Sequence, residues 1–171
     1  MAQMALEQIP ADKLDRVDRI TVSTRYLGRY QSVSSIRDVP EVFIDEPESM
    51  GGANSGPTAL ESTLAALNAC SAMIMFLVRK EMKFDLGGVR FQTDGWVDKR
   101  SVEMRRTKQP YSAIPPLTEH YFKVEQNVYI TTSETGERLD HFRGEVLRLC
   151  PMHALLRDAG VPVESQWTIE S

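Results

Sequence analysis

The chain has 171 residues and a mass of 19.3 kDa, which is room for one compact domain rather than two independent large cores. Its 24 acidic residues outnumber its 20 basic ones, and the calculated pI is about 5.4, so a sequence-independent nucleic-acid binder, which needs a basic face, is disfavoured. Two cysteines, Cys70 and Cys150, are too few for a disulfide scaffold or an all-cysteine zinc site.

Residues 1–18 read as an N-terminal arm, with a short helix around Ala11–Val17, and 19–171 as a single domain. The N-terminus has neither the basic start nor the apolar core of a signal peptide. The longest apolar stretch, Leu64–Val78, is interrupted by Asn68, Cys70 and Ser71 and falls short of the roughly 20 residues that cross a bilayer. A cytoplasmic protein is expected, without membrane or nucleic-acid partners. Thiols there are kept reduced, so a disulfide would be transient and chemical.

Ile20, Val22, Thr24 and Tyr26 alternate with polar residues, the period of a half-buried strand. Gly28 marks a turn into a second strand at Tyr30–Ile36, making a hairpin, and Glu41–Asp45 is a short third strand. The loop Glu46–Pro57 holds three glycines and two prolines and ends in Gly56-Pro57-Thr58, a helix entry with proline in its first turn. From Thr58 to Lys83 the sequence predicts a long helix, apolar on every side at its middle, with Arg79, Lys80 and Lys83 suiting the negative end of its dipole.

Val89–Val97 is a strand, 99–118 a long loop or distorted hairpin, and Glu119–Thr131 a strand with a possible bulge at Asn127. Ser133–Leu149 is an amphipathic helix stopped by Pro151. A short helix, Met152–Asp158, and a last strand, Val161–Ile169, complete the chain. This order gives an α+β fold with antiparallel sheets around a long buried helix. A helix apolar all round needs more cover than one such chain supplies, so a homodimer is expected.

Cys70, near the middle of the long helix, has the position of an ordinary small core residue, free cysteine being among the most buried types. Cys150 stands in Cys150-Pro151-Met152-His153. The proline disfavours a helical Cys150, so its thiol marks a joint just before a helix N-terminus, where a thiolate is stabilised. An inert buried cysteine beside a helix breaker fits the same residues. His120, His141 and His153 have no metal-ligand spacing, and no metal or cofactor is expected. His153 reads as a helix-surface residue or a modifier of Cys150. The paired glycines lack the lysine of a phosphate-binding loop.

Three stretches together resemble the osmotically inducible protein C and organic hydroperoxide resistance (OsmC/Ohr) family, in its general OsmC-like branch. They are Asp45-Glu46-Pro47 leading through Gly51-Gly52 to Gly56-Pro57-Thr58, the helix segment from Leu60 to Cys70, and Cys150-Pro151-Met152-His153. The resemblance implies an intertwined homodimer with two central helices. It also implies a thiol peroxidase acting on organic hydroperoxides, with Cys70 as the peroxidatic cysteine, Cys150 as the resolving cysteine, and a dithiol reductant. An OsmC-like dimer that binds a small molecule without peroxide turnover is the alternative.

Such chemistry requires a lowered thiol pKa at Cys70, usually through an arginine. Arg29 best matches the family's hairpin arginine, with Arg25 and Arg37 as rivals. In the named subgroups a glutamate ten residues before the cysteine pairs with that arginine; Leu60 occupies the position here. Glu61 is the nearest carboxylate, yet nine helical steps place it about half a turn from the Cys70 face, so it serves only if the helix start is irregular. Asp45 and Glu46 are substitutes. Met73, Met75, Phe76 and Tyr111 either line an apolar substrate entrance or simply pack the core.

Overall fold

The computed structural model describes residues 18–100, 110–113, 115 and 120–170. The expected arm, and most of the expected 99–118 loop, lie outside these. The chain divides into two compact units, one ending at Ala59 and the other beginning at Leu60.

The first unit carries the antiparallel sheet β1 (Ser23–Gly28), β2 (Gln31–Ser35) and β3 (Val42–Ile44), in that spatial order. The β1–β2 hairpin turns through Gly28 and Arg29, both at positive φ (114° and 52°), and the Tyr26 hydroxyl donates to the Arg29 carbonyl at 2.8 Å. The register shifts between Tyr26 and Gly28, so the sheet's irregularity is at this turn.

Asp45, at the end of β3, organises the loop that follows. Its carboxylate accepts the backbone N–H groups of Glu46 (2.8 Å), Ala53 (3.0 Å) and Ser55 (3.1 Å), and the Ser55 hydroxyl at 2.9 Å. Burial alone would raise its pKa, but these donors outweigh burial and hold it at about 2, below the ordinary 3.8. The glycines of the loop follow from the same close packing. A Cβ on Gly52 would lie 1.8 Å from the Glu46 carbonyl oxygen, and one on Gly56 would lie 2.3 Å from that of Phe43. An acidic, glycine-rich run that resembles a solvated turn is therefore a folded loop with a buried anion at its centre.

A stability consequence follows. Because the folded pKa is depressed, the anion's contribution is complete above about pH 4 and is lost as the pH falls toward about 2. Thermal unfolding followed from about pH 5 down to about pH 2 should show a falling melting temperature, and Asp45→Asn should lose much of that dependence while starting lower.

The second unit begins with α1 (Ala59–Met82) and continues through β4 (Gly88–Trp96), β5 (Lys123–Thr131), α2 (Gly136–Leu149), α3 (Pro151–Asp158) and β6 (Val163–Glu170). Strands β4, β5 and β6 form its sheet in that order. The β4–β5 pairing is antiparallel and unbroken from Gly88↔Thr131 to Trp96↔Lys123, so the bulge expected at Asn127 is absent: Asn127 pairs in step with Gln92. The β5–β6 pairing is parallel rather than antiparallel. Two helices connect these strands, and they return the chain to the starting end of the sheet, as a parallel crossover must.

Helix α1 buries one face, Leu67, Ser71, Ile74, Met75 and Val78. Two apolar clusters receive it. One joins Ile74, Met75 and Val78 to Val128, Ile130, Phe142, Val146 and Cys150; the other joins Leu67 to Tyr121, Val124, Leu156 and Val161. Phe84 stacks on Phe142 at 4.0 Å between ring centroids, and Trp167 meets Phe142 edge-on at 6.1 Å.

The opposite face of α1 is open: Met73 is 56% and Phe76 61% exposed, with Leu77 beside them. The expectation that one chain leaves this helix partly uncovered matches that stripe. By length and composition α1 also meets the criteria for a membrane span. Its buried face, and the bonds of Asn68 and Ser71 to the sheet described below, make it the core helix of this unit.

Candidate functional site

Cys150 ends α2 and caps α3, with φ −72° and ψ 115°, an extended residue between two helices. The cause is local: proline at the first position of α3 excludes a helical residue before it. The Cys150 N–H completes α2 by bonding Val146 O at 3.1 Å, and its carbonyl opens α3 by accepting Ala154 N–H at 3.0 Å. The side chain is fully buried against the cluster that contains Ile74 and Met75.

Cys70 projects from the middle of α1 and packs on the same cluster, half-buried. The two thiols, 80 residues apart in sequence, meet on this one cluster, close enough that Cys150 bears on the ionisation of Cys70. Burial raises the Cys70 pKa; the Met152 N–H at the start of α3 opposes it, and the adjoining Cys150 raises it further. The positive end of α3 thus serves Cys70 as well as the residue that caps it.

Beside the thiols lies a buried polar layer that separates the two apolar clusters. Along β5 the inward row runs Val124, Gln126, Val128, with Gln126 only 1% exposed. Its amide nitrogen donates to Asn68 Oδ1 at 3.0 Å and to Ser71 Oγ at 3.3 Å. Thr93 on β4 also donates to Asn68 Oδ1, at 2.7 Å. His153 Nε2 donates to Gln126 Oε1 at 3.1 Å. Ser71 Oγ lies 3.8 Å from Cys150 Sγ. His153 is therefore buried, not on the helix surface. Burial lowers its pKa, and the charge of Arg157 lowers it further, so the ring is neutral near pH 7.

Asn68, Ser71 and Gln126 were not singled out in the sequence. One signal was legible there: Gln126 sits in the strand row otherwise filled by Val124, Val128 and Ile130, and a polar side chain in such a row needs partners.

The other expected residues are distributed differently. α1 is regular from Ala59, so Glu61 lies about half a turn from the Cys70 face; its charge instead raises the pKa of the buried Tyr121 phenol, behind the larger effect of burial. That phenol donates to Leu60 O at 2.7 Å. Asp45 is committed to its own loop. Arg25 is paired with Glu41 at 2.9 Å, whereas Arg29 lines a cleft of about 320 Å³ with Leu27, Gly28, Gln31, Asp45 and Ala53. Arg37, the other rival, sits at φ 50° after β2. Met75 is buried in the core, and Met73 and Phe76 are on the open face of α1. The side chain of Tyr111 lies outside those described. No group of three or more His, Cys, Asp or Glu side chains suited to a metal occurs among the described residues.

A family model described as OsmC-like protein matches residues 52–166, about two thirds of the chain. The chain belongs to this family. Solved structures share its fold. An OsmC-like protein from Mycoplasma pneumoniae superposes with a TM-score of 0.71 at 13% identity, covering 90% of this chain and 99% of its own. An OsmC-like protein of unknown function from Vibrio cholerae gives 0.66 at 9% identity, covering 89% and 100%. The organic hydroperoxide resistance protein OhrB of Bacillus subtilis gives 0.58 at 16% identity, covering 88% and 98%. No curated protein matches the chain by sequence. At these identities the structures establish the fold, α+β with two small sheets and a long central helix, and the family gives the chain a redox or hydroperoxide-related setting.

Proposed function

We propose that this OsmC-like protein is a cytoplasmic, homodimeric thiol peroxidase that reduces organic hydroperoxides. The observation that carries the reading is the meeting of Cys70 and Cys150, brought side by side from helices far apart in sequence. The Cys70 thiolate attacks the outer hydroperoxide oxygen, the O–O bond breaks, and the alkoxide leaves as an alcohol after taking a proton. Cys70 is then a sulfenic acid. Cys150 attacks that sulfur, forming a disulfide and releasing water. A dithiol reduces the disulfide by two exchanges and is itself oxidised to a disulfide. Resolution requires the two Cα atoms to come within roughly 4.4–6.8 Å, and the packing of both cysteines on one cluster favours that approach.

Among the described residues, the Met152 N–H works against burial at Cys70, and the pKa nonetheless stays raised. A cation is therefore required, and Arg29 is proposed to supply it, because an arginine stays charged and donates in a planar fork. Replacing Arg29 by alanine should shift the pH profile of Cys70 oxidation to higher pH and slow the reaction at pH 7 by about tenfold or more. Stopped-flow oxidation of the reduced protein by cumene hydroperoxide across pH checks this. An unchanged profile assigns the charge elsewhere. Met73 and Phe76 are proposed to line the hydroperoxide's route or the dimer seam, where the open stripe of α1 is covered by a second copy.

The regular start of α1, which turns Glu61 away from Cys70, favours the second reading, a dimer that binds a small molecule without turnover. The two separate on one assay. Reduced protein mixed with an organic hydroperoxide consumes it and loses both thiols under the first reading, and does neither under the second.

A further inference from the structure

The polar layer beside the thiols is directional. Gln126 Oε1 can only accept, so His153 Nε2, 3.1 Å away, carries the hydrogen between them. The Gln126 amide nitrogen can only donate, so Ser71 Oγ, at 3.3 Å, accepts from it. The Ser71 hydroxyl keeps its own proton to donate, and Cys150 Sγ lies 3.8 Å away; once that sulfur is a thiolate it can only accept, and Ser71 is placed to donate to it. All three polar residues are buried, as is Cys150 itself, so water cannot readily take over this role. Cys70, by contrast, is half-exposed.

We propose that Ser71 is the hydrogen-bond donor to the Cys150 thiolate, held in place by Gln126 and His153 as positioning residues, and that Cys150 is consequently the leaving thiolate when the disulfide is reduced. The inference rests on the reading of Cys70 and Cys150 as a redox pair. The thiolate of the reductant attacks Cys70 Sγ, the accessible sulfur. The Cys70–Cys150 bond breaks, its electron pair goes to Cys150, and a mixed disulfide remains on Cys70. The second thiol of the reductant then attacks the reductant's own sulfur in that mixed disulfide, releasing Cys70 and closing the reductant's disulfide. The rate of such an exchange depends on how well the leaving sulfur bears charge, and a donor aimed at that sulfur stabilises it.

The test does not depend on peroxidase activity, because diamide can form the disulfide in place of hydroperoxide. Diamide-oxidised protein is mixed with a monothiol, 2-mercaptoethanol, quenched in acid and peptide-mapped. Adduct on Cys70 is the expected result; adduct on Cys150, or failure of diamide to join the two cysteines, overturns the proposal. Reduction by dithiothreitol should slow by about tenfold to a hundredfold in Ser71→Ala, the usual worth of a hydrogen bond to a charged group. Ser71→Thr, which keeps the hydroxyl, should restore most of the rate, and Gln126→Leu should slow it less than Ser71→Ala. Equal rates in Ser71→Ala and wild type, with both oxidised proteins folded by circular dichroism, also overturn the proposal. If hydroperoxide is not consumed but diamide chemistry behaves as stated, the peroxidase reading fails and this one stands.

Discussion

Cys70→Ser should abolish hydroperoxide consumption, a loss of at least about a thousandfold in rate, while Cys150→Ser should consume close to one equivalent and stop. The asymmetry follows from the two roles. Serine at position 70 keeps the shape of the site but is not deprotonated near neutral pH, so no nucleophile of comparable strength replaces the thiolate. Serine at position 150 leaves Cys70 its nucleophile, and the α3 N-terminus that supplies the Met152 N–H starts at Pro151, which is untouched. The sulfenic acid then has no partner thiol and accumulates. A dimedone adduct on Cys70 in the Cys150→Ser protein, found by peptide mass, is the direct readout. Consumption of many equivalents by Cys70→Ser would show that the chemistry belongs to another residue.

Gly52→Ala should destabilise the N-terminal unit by about 3 kcal/mol or more, among the largest effects expected of a single methyl group. The new Cβ would sit 1.8 Å from the Glu46 carbonyl oxygen and 2.5 Å from its carbon, both backbone atoms. Relief requires the loop to move, and the loop is tied down by the Ala53 and Ser55 N–H bonds to Asp45 and by the Asn54 N–H bond to Glu46 O at 3.1 Å. Breaking those donors leaves a buried carboxylate without its partners, so collision and desolvation act together. Gly136→Ala provides the contrast: nothing lies within 4 Å of its added Cβ, and its cost comes from a φ of 57° alone. Chemical denaturation of the two variants should rank Gly52→Ala far below Gly136→Ala.

Much of this was legible in the residues. The alternation of Val89, Phe91 and Thr93, and the run of Ala, Leu and Met after Pro57, placed β4 and α1 to within about two residues, because side-chain period is what burial imposes. Pro151 located the joint at Cys150, since a proline restricts the residue before it whatever the tertiary context. Other features depend on partners distant in sequence. Alternation in β5 and β6 reports a half-buried strand, but not whether its neighbour runs parallel, which is set by the two-helix crossover. The burial of His153 depends on a glutamine 27 residues away. The role of Asp45 depends on donors eight to ten residues on, and a sequence pattern shows an acidic turn there rather than a buried anion. The paired thiols belong to the same class. Each cysteine alone has an ordinary structural explanation, and their meeting becomes visible only when α1 and the α2–α3 joint are packed together.

The most direct test of that meeting is a peptide map of reduced wild-type protein after one equivalent of cumene hydroperoxide. A single cross-linked peptide containing Cys70 and Cys150, formed together with the stoichiometric alcohol and reversed by a dithiol, is the predicted result. Two free thiols beside unreacted hydroperoxide would contradict the account.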